Sequence, residues 1–101
     1  MVRGTTPTYT FSIPFDTNLI AEAKVIFSQG EVSVSKRLQD CGLNGSELSV
    51  KLTQEDTLKF SKGPVEIIIR VLTTGGDASA SDPMYDYVSD CNDDEVLRYE
   101  V

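Results

Sequence analysis

The sequence contains no histidine and no tryptophan among its 101 residues, and only two cysteines. Without histidine it has no Ser–His or Cys–His nucleophile pair and no histidine-containing metal site. No apolar run approaches the ~20 residues of a membrane span, and the first residues lack the apolar stretch of a signal peptide. We therefore expect a non-enzymatic protein that binds no cofactor, does not span a membrane and has no signal peptide.

Charge is distributed unevenly along the chain. Nine basic and sixteen acidic residues give a net charge of −7, and residues 77–101 hold eight of the acids against Arg98 alone, so residues 1–76 are neutral. Such a segment repels nucleic acid, because binding DNA or RNA requires cations that displace counterions. It would attract a basic partner, or act as a solvated tail that aids solubility. The acids of 90–95 lack the glycine and the ligand frame of an EF-hand, so no metal site is predicted.

The cysteines give little information about function. Cys41 and Cys91 have neither the spacing of a redox motif nor that of a zinc site. Free buried thiols are one interpretation, and a single bridge between the tail and the middle of the domain is the other.

Alternation of apolar and polar residues predicts a series of short strands. The clearest segments are Thr8–Ile13, 20–28, 31–38 and Leu48–Leu52. We expect 20–28 and 31–38 to form a hairpin, and Asn44-Gly45 to form a tight turn. Thr53 and Asp56 match a capping box, which predicts a short helical turn near residues 54–59.

The segment Val65–Thr73 is the most hydrophobic of the chain. Its apolar residues fall on both faces of an extended strand, which predicts a central strand covered on both sides. The residues Thr74–Asp77 predict a hairpin turn into a last strand over 78–88, interrupted by Pro83. About six or seven strands at this spacing predict an all-β sandwich, with one domain over 1–89 and an acidic tail over 90–101.

Several strings resemble a known family. They are Thr6–Phe11, Leu52–Phe60, Pro64–Ala78 and Asp93–Leu97. Over nearly the whole chain, from about Arg3 to Leu97, the sequence resembles small proteins encoded in phages and prophages of Gram-positive, mostly clostridial, bacteria. It is more distantly similar to the N-terminal β-sandwich domain of phage baseplate upper proteins. The resemblance implies an immunoglobulin-like antiparallel sandwich and a structural role near the tail machinery, and it supplies no functional residues.

The last strand and the tail hold the residues predicted to bind a partner. They are Asp82, Tyr85, Asp86, Tyr87, Asp90, Asp93, Asp94 and Glu95. The expected partners are other phage structural proteins or a second copy of the chain, with no nucleic acid and no membrane. The expected location is the virion, or the host cytoplasm during assembly.

Two other functions remain open from the sequence. The acids at 82, 86, 90 and 94 are four residues apart, which places them on one face of either a helix or a strand. An acidic inhibitor that mimics nucleic acid would use such a face to bind a basic host protein. A carbohydrate-binding module would instead use an aromatic platform of Tyr9, Tyr85, Tyr87 and Tyr99, although these tyrosines are also typical of half-buried rim residues.

Overall fold

A computed structural model describes residues 1–99 of the chain. Within this range it has eight strands and one α-helix, with two short 3-10 turns at Thr17–Leu19 and Leu38–Asp40. The elements are β1 (Thr8–Ser12), β2 (Ile20–Gln29), β3 (Val32–Arg37), β4 (Cys41–Asn44), β5 (Glu47–Lys51), α1 (Gln54–Leu58), β6 (Gly63–Thr73), β7 (Ala78–Ala80) and β8 (Met84–Val88).

The strands form two antiparallel sheets. The small sheet has the order β1-β5-β4, and the large sheet has the order β3-β2-β6, with β7 and β8 both paired to the far edge of β6. The rings of Tyr9 in the small sheet and Phe27 in the large sheet lie 5.3 Å apart, so the sheets pack face to face. The predicted all-β sandwich is confirmed, with eight strands in place of six or seven.

Local signals set the turns correctly. The predicted hairpin is present, because β2 and β3 pair across a two-residue connection in which Gly30 has φ 58°. The connection from β6 to β7 closes with a hydrogen bond from the Thr73 amide to the Asp77 carbonyl at 2.8 Å, and Gly76 has φ 89°. Only glycine adopts such positive φ angles without steric cost.

The capping box also forms as predicted. The Thr53 hydroxyl accepts from the Asp56 amide at 3.1 Å, and the Asp56 carboxylate accepts from the Thr53 amide at 2.9 Å. The same carboxylate forms an ion pair with Lys36 at 2.7 Å, which joins α1 to β3. Partial burial alone would raise the pKa of Asp56, but these hydrogen bonds and Lys36 lower it.

The core lies between the inner faces of the two sheets. Alternate residues of β6 point inward and are buried, as are those of β2 and β5 that face them. The largest fully buried side chains include Phe27, Phe60, Leu48, Leu52 and Val65. Phe60 lies two residues after the end of α1, so it anchors the chain that leaves the helix to the core.

The prediction that β6 is covered on both sides is wrong. We call the side of the large sheet that points away from the small sheet the outer face; it carries Lys24, Ile26, Arg37, Ile68, Arg70, Leu72, Tyr85 and Tyr87. Ile68 lies opposite Ile26 and is half-buried, and Leu72 is 42% exposed. The reason is geometric: the small sheet packs on the inner side, and no other described element packs on the outer side.

The predicted tail lies against the domain and is hydrogen-bonded to the start of α1. The Gln54 side chain donates to the Leu97 carbonyl at 2.9 Å and accepts from the Leu97 amide at 2.8 Å. Residues 90–99 contain no strand, and positions 100 and 101, the end of the predicted tail, fall outside the described residues. The segment up to Leu97 is therefore held at the start of α1.

Thr57 ties α1 to the chain before β1. Its side chain is fully buried, donates to the Thr5 carbonyl at 2.9 Å and accepts from the Gly4 amide at 3.0 Å. We expect Thr57→Val, which keeps the shape but leaves these groups without a partner, to lower the free energy of unfolding by about 1–3 kcal/mol.

Urea unfolding followed by circular dichroism measures this loss. The matched control is Thr10→Val on the exposed side of β1, which we expect to change stability by less than about 0.5 kcal/mol. Equal unfolding midpoints for Thr57→Val and the wild type would contradict the structural role of this hydroxyl.

Candidate functional site

The two predicted tyrosines of the last strand lie side by side on the outer face. In the pairing of β8 with β6, Tyr85 is opposite Glu66 and Tyr87 is opposite Pro64. Their exposed fractions are 67% and 53%, and the Tyr85 hydroxyl donates to the Glu66 carboxylate at 3.3 Å. Two large aromatic side chains are thus presented to the surroundings by a rigid strand.

Asp86 lies between these tyrosines in sequence but points to the opposite side of β8. Its carboxylate accepts from the Tyr9 hydroxyl at 2.6 Å, from the Met1 ammonium at 3.0 Å and from the Tyr87 amide at 2.8 Å. Partial burial alone would raise the pKa of Asp86, but these hydrogen bonds outweigh it and lower the pKa. Asp86 is therefore a link between the two sheets and is not part of a shared surface with the tyrosines.

The aromatic platform of four tyrosines does not form. Tyr9 is half-buried between the sheets and packs on Phe11 and Phe27, with ring centroids 6.3 and 5.3 Å away. Burial and the hydrogen bond to Asp86 raise the pKa of Tyr9 well above its usual range. Tyr99 is almost fully exposed, in the segment beyond β8. Tyr85 and Tyr87 are the pair that the structure brings together.

Arg3 holds two of the predicted acids in place. Its guanidinium forms ion pairs with Asp90 at 3.1 Å and with Asp94 at 2.9 Å. The same group donates to the carbonyls of Phe60 at 2.6 Å and Leu58 at 3.1 Å. These two acids are therefore already used within the chain to fasten the segment after β8 to the end of α1.

The remaining predicted acids are exposed. Asp82 lies in the connection between β7 and β8, and Asp93 and Glu95 lie in the segment beyond β8. Of the acids at 82, 86, 90 and 94, Asp86 alone lies in a strand of more than one residue, so the four-residue spacing does not create one acidic face. Among residues 1–99, no three acidic or cysteine side chains come together in a group able to hold a metal ion.

Both cysteines are free thiols, so the bridge is absent. The prediction that they are buried is wrong, because Cys41 on β4 is half-buried and Cys91 is exposed. Each thiol donates to a backbone carbonyl, of Arg37 and of Asp93 respectively. Burial, with a smaller effect of Asp40, raises the pKa of Cys41 and so disfavours its thiolate.

Sequence reasoning missed the outer face of the large sheet as a surface. The face combines the half-buried pair Ile26 and Ile68 with exposed Leu72 and the two tyrosines. The available signal is the pair Ile68 and Leu72, which share a face of β6 with Glu66 and Arg70 and which the apolar pattern predicts to be buried. Only the pairing of β6 with β2 and β8 shows that these residues form one continuous surface.

Comparison with known proteins adds no relative: no family model, no curated protein and no solved structure matches this chain. In the described part of the chain, no helix has the length and apolar character needed to cross a membrane.

The Asp86 link predicts a specific dependence of stability on pH. Because the folded chain lowers the pKa of Asp86 below its ordinary value of 3.8, the link stabilises the fold above that value and is lost as the pH falls through the folded value. We expect Asp86→Asn to lower the free energy of unfolding by about 1 kcal/mol at pH 7, and the difference from the wild type to shrink in acid.

Urea unfolding of the wild type and of Asp86→Asn between pH 7 and pH 2.5 measures this difference. These limits lie about three units above and one below the ordinary pKa of an aspartate. The control is Asp82→Asn, an exposed aspartate that makes no ion pair within residues 1–99. Parallel curves for Asp86→Asn and the wild type over the whole range would refute the role of the carboxylate.

Proposed function

We propose that this chain is a non-enzymatic structural or assembly protein of a phage or prophage particle, associated with the tail or baseplate, that acts by protein–protein contact. The origin is suggested by the sequence resemblance described above. The mode of action is supported by one observation, the uncovered outer face of the large sheet.

The sequence of β6 is typical of a strand covered on both sides, yet residues 1–99 cover only its inner side. Strands with apolar residues on both faces are typical of sheets that are packed on both faces. Here Ile68 and Leu72 lie on the side that no described element covers. A partner protein that packs on the outer face would supply the missing cover, and the apolar pattern of β6 then has a physical reason.

The tyrosines extend this surface toward the edge of the sheet. Tyr85 and Tyr87 lie on the strand next to β6 and on the same face. Tyrosine is enriched at the centres of protein interfaces, because it buries a large ring and keeps a hydroxyl for hydrogen bonding. A stable contact buries roughly 1,200–2,000 Å² in total, about half of it on each partner. The partner class proposed is another structural protein of the same particle.

The test is quantitative mass spectrometry of particles purified from the strain that encodes the chain. We expect a fixed copy number per particle for the wild type. We expect Tyr85→Ser combined with Tyr87→Ser to lower that number by on the order of tenfold or more, because interface tyrosines commonly contribute most of the binding energy.

The control variant is Leu19→Ser combined with Leu97→Ser. It also removes two exposed apolar side chains, 49% and 70% exposed, neither of which lies on a strand of the large sheet. Circular dichroism confirms that both variants fold. Equal incorporation of the tyrosine variant, or a wild type made in the cell but absent from particles, would overturn the proposal. The second result would make an acidic inhibitor of a basic host protein the next hypothesis, tested by capture at low and high salt.

A further inference from the structure

Three basic side chains form one row across the outer face. The sheet register places Arg37 of β3 opposite Lys24 of β2, and Lys24 opposite Arg70 of β6. Neighbouring strands lie about 4.8 Å apart, so the three cations leave the sheet in a line about 10 Å long. This cation row lies four residues along the strands from the level of Glu66 and Tyr85, or about 13 Å.

The row is unfavourable for the isolated chain. Like charges directly opposite each other on neighbouring strands destabilise a sheet. Within residues 1–99, the ion pairs involve the N-terminal ammonium, Arg3 and Lys36, and none involves a member of the row. Two acids lie near the row, and both accept backbone hydrogen bonds: Glu22, two residues before Lys24, accepts from the Ala23 amide, and Asp40 accepts from the Arg37 amide. A third of the nine basic residues of an acidic protein thus stand together without a described carboxylate partner.

Space for a ligand lies beside the row. A surface depression of about 470 Å³ is lined by the three cations, by the carboxylate-bearing Glu22 at one end, and by apolar or small side chains that include Leu72, Ala78 and Ala80. Because the side chains of β7 are small, the wall that β7 forms on the depression is low. An extended peptide segment can therefore reach the cations over an apolar and shallow floor.

The chain itself contains a segment of matching charge. Asp93 and Glu95 are exposed and form no ion pair within residues 1–99, whereas Asp94 between them is held by Arg3. In the isolated chain the Asp93 carboxylate accepts from the Glu95 amide at 3.2 Å, so the segment has to extend to bind. Once it is extended, residues two apart lie on the same side and about 6.5–7 Å from each other. Two such carboxylates fit a row of three long basic side chains, and arginine pairs with a carboxylate through two parallel hydrogen bonds.

We propose that the cation row binds the Asp93–Glu95 segment of a second copy of this chain. The ligand and the site lie on different parts of the molecule, so the contact is head-to-tail and links copies into rings or open chains. The inference uses residues other than the tyrosines and does not rest on the proposed function.

The first experiment is sedimentation velocity of the purified chain at about 0.01 M and about 1 M salt, where the screening length falls from roughly 30 to 3 Å. We expect association at low salt that weakens on the order of tenfold or more at high salt, because exposed ion pairs are screened. Lys24→Gln combined with Arg70→Gln should abolish it. The control Lys51→Gln combined with Lys59→Gln changes the net charge equally, at exposed positions outside the row, and should retain it.

A charge-exchange experiment identifies the two sides of the contact. Lys24→Glu combined with Arg70→Glu should remain monomeric alone, as should Asp93→Lys combined with Glu95→Lys. Mixed together, these two variants should associate again. The native acidic segment of the first then meets the native row of the second, and the reversed segment of the second meets the reversed row of the first. Circular dichroism establishes that each variant is folded.

Three results would overturn the proposal. One is a wild type that is monomeric at both salt concentrations. Another is association that the Lys24 and Arg70 variant retains, or that the control variant loses to the same extent. The third is a mixture of the two charge-reversed variants that remains monomeric, which would show that the row and the Asp93–Glu95 segment do not meet.

Discussion

The pairing of β6 on both of its edges is the constraint on which the large sheet depends. β2 pairs along one edge, and β7 and β8 share the other, so every strand of that sheet except β3 bonds directly to β6. Its inner side supplies Val65, Ile67, Ile69 and Val71 to the core. Because β6 connects the two halves of the sheet and also supplies core residues, its position determines the placement of both the tyrosines and the cation row.

The parts of the fold that the sequence predicts are those set by local chemistry. The capping box needs only Thr53 and Asp56, three residues apart, and both hydrogen bonds are formed. The hairpin turns need a glycine at a positive φ, and Gly30 and Gly76 supply it. In each case the residues that carry the signal also make the contact, so no knowledge of distant segments is required.

The features of the fold that the sequence does not predict depend on which distant segments of the chain come into contact. Successive side chains of β8 point to opposite faces, which places Asp86 on the other side from its neighbouring tyrosines. Only the packing of β1 against β8 shows that Asp86 faces Tyr9, 77 residues away. The same holds for Arg3, whose two aspartates lie at the other end of the chain. The prediction that β6 is covered on both sides is wrong for a related reason. Apolar composition indicates that a surface favours burial, but it does not show which segment buries it.

The contact between the first residues and the end of β8 has a consequence for synthesis. Residues 1–3 run parallel to residues 87–89, through hydrogen bonds from the Ser89 amide to the Met1 carbonyl and from the Arg3 amide to the Ser89 carbonyl, 2.8 and 2.9 Å long. Closing the loop between these two segments is slow, because the conformational entropy of the intervening chain is lost before the contact forms. Residues 1–3 therefore make this contact only after residues 86–90 have left the ribosome.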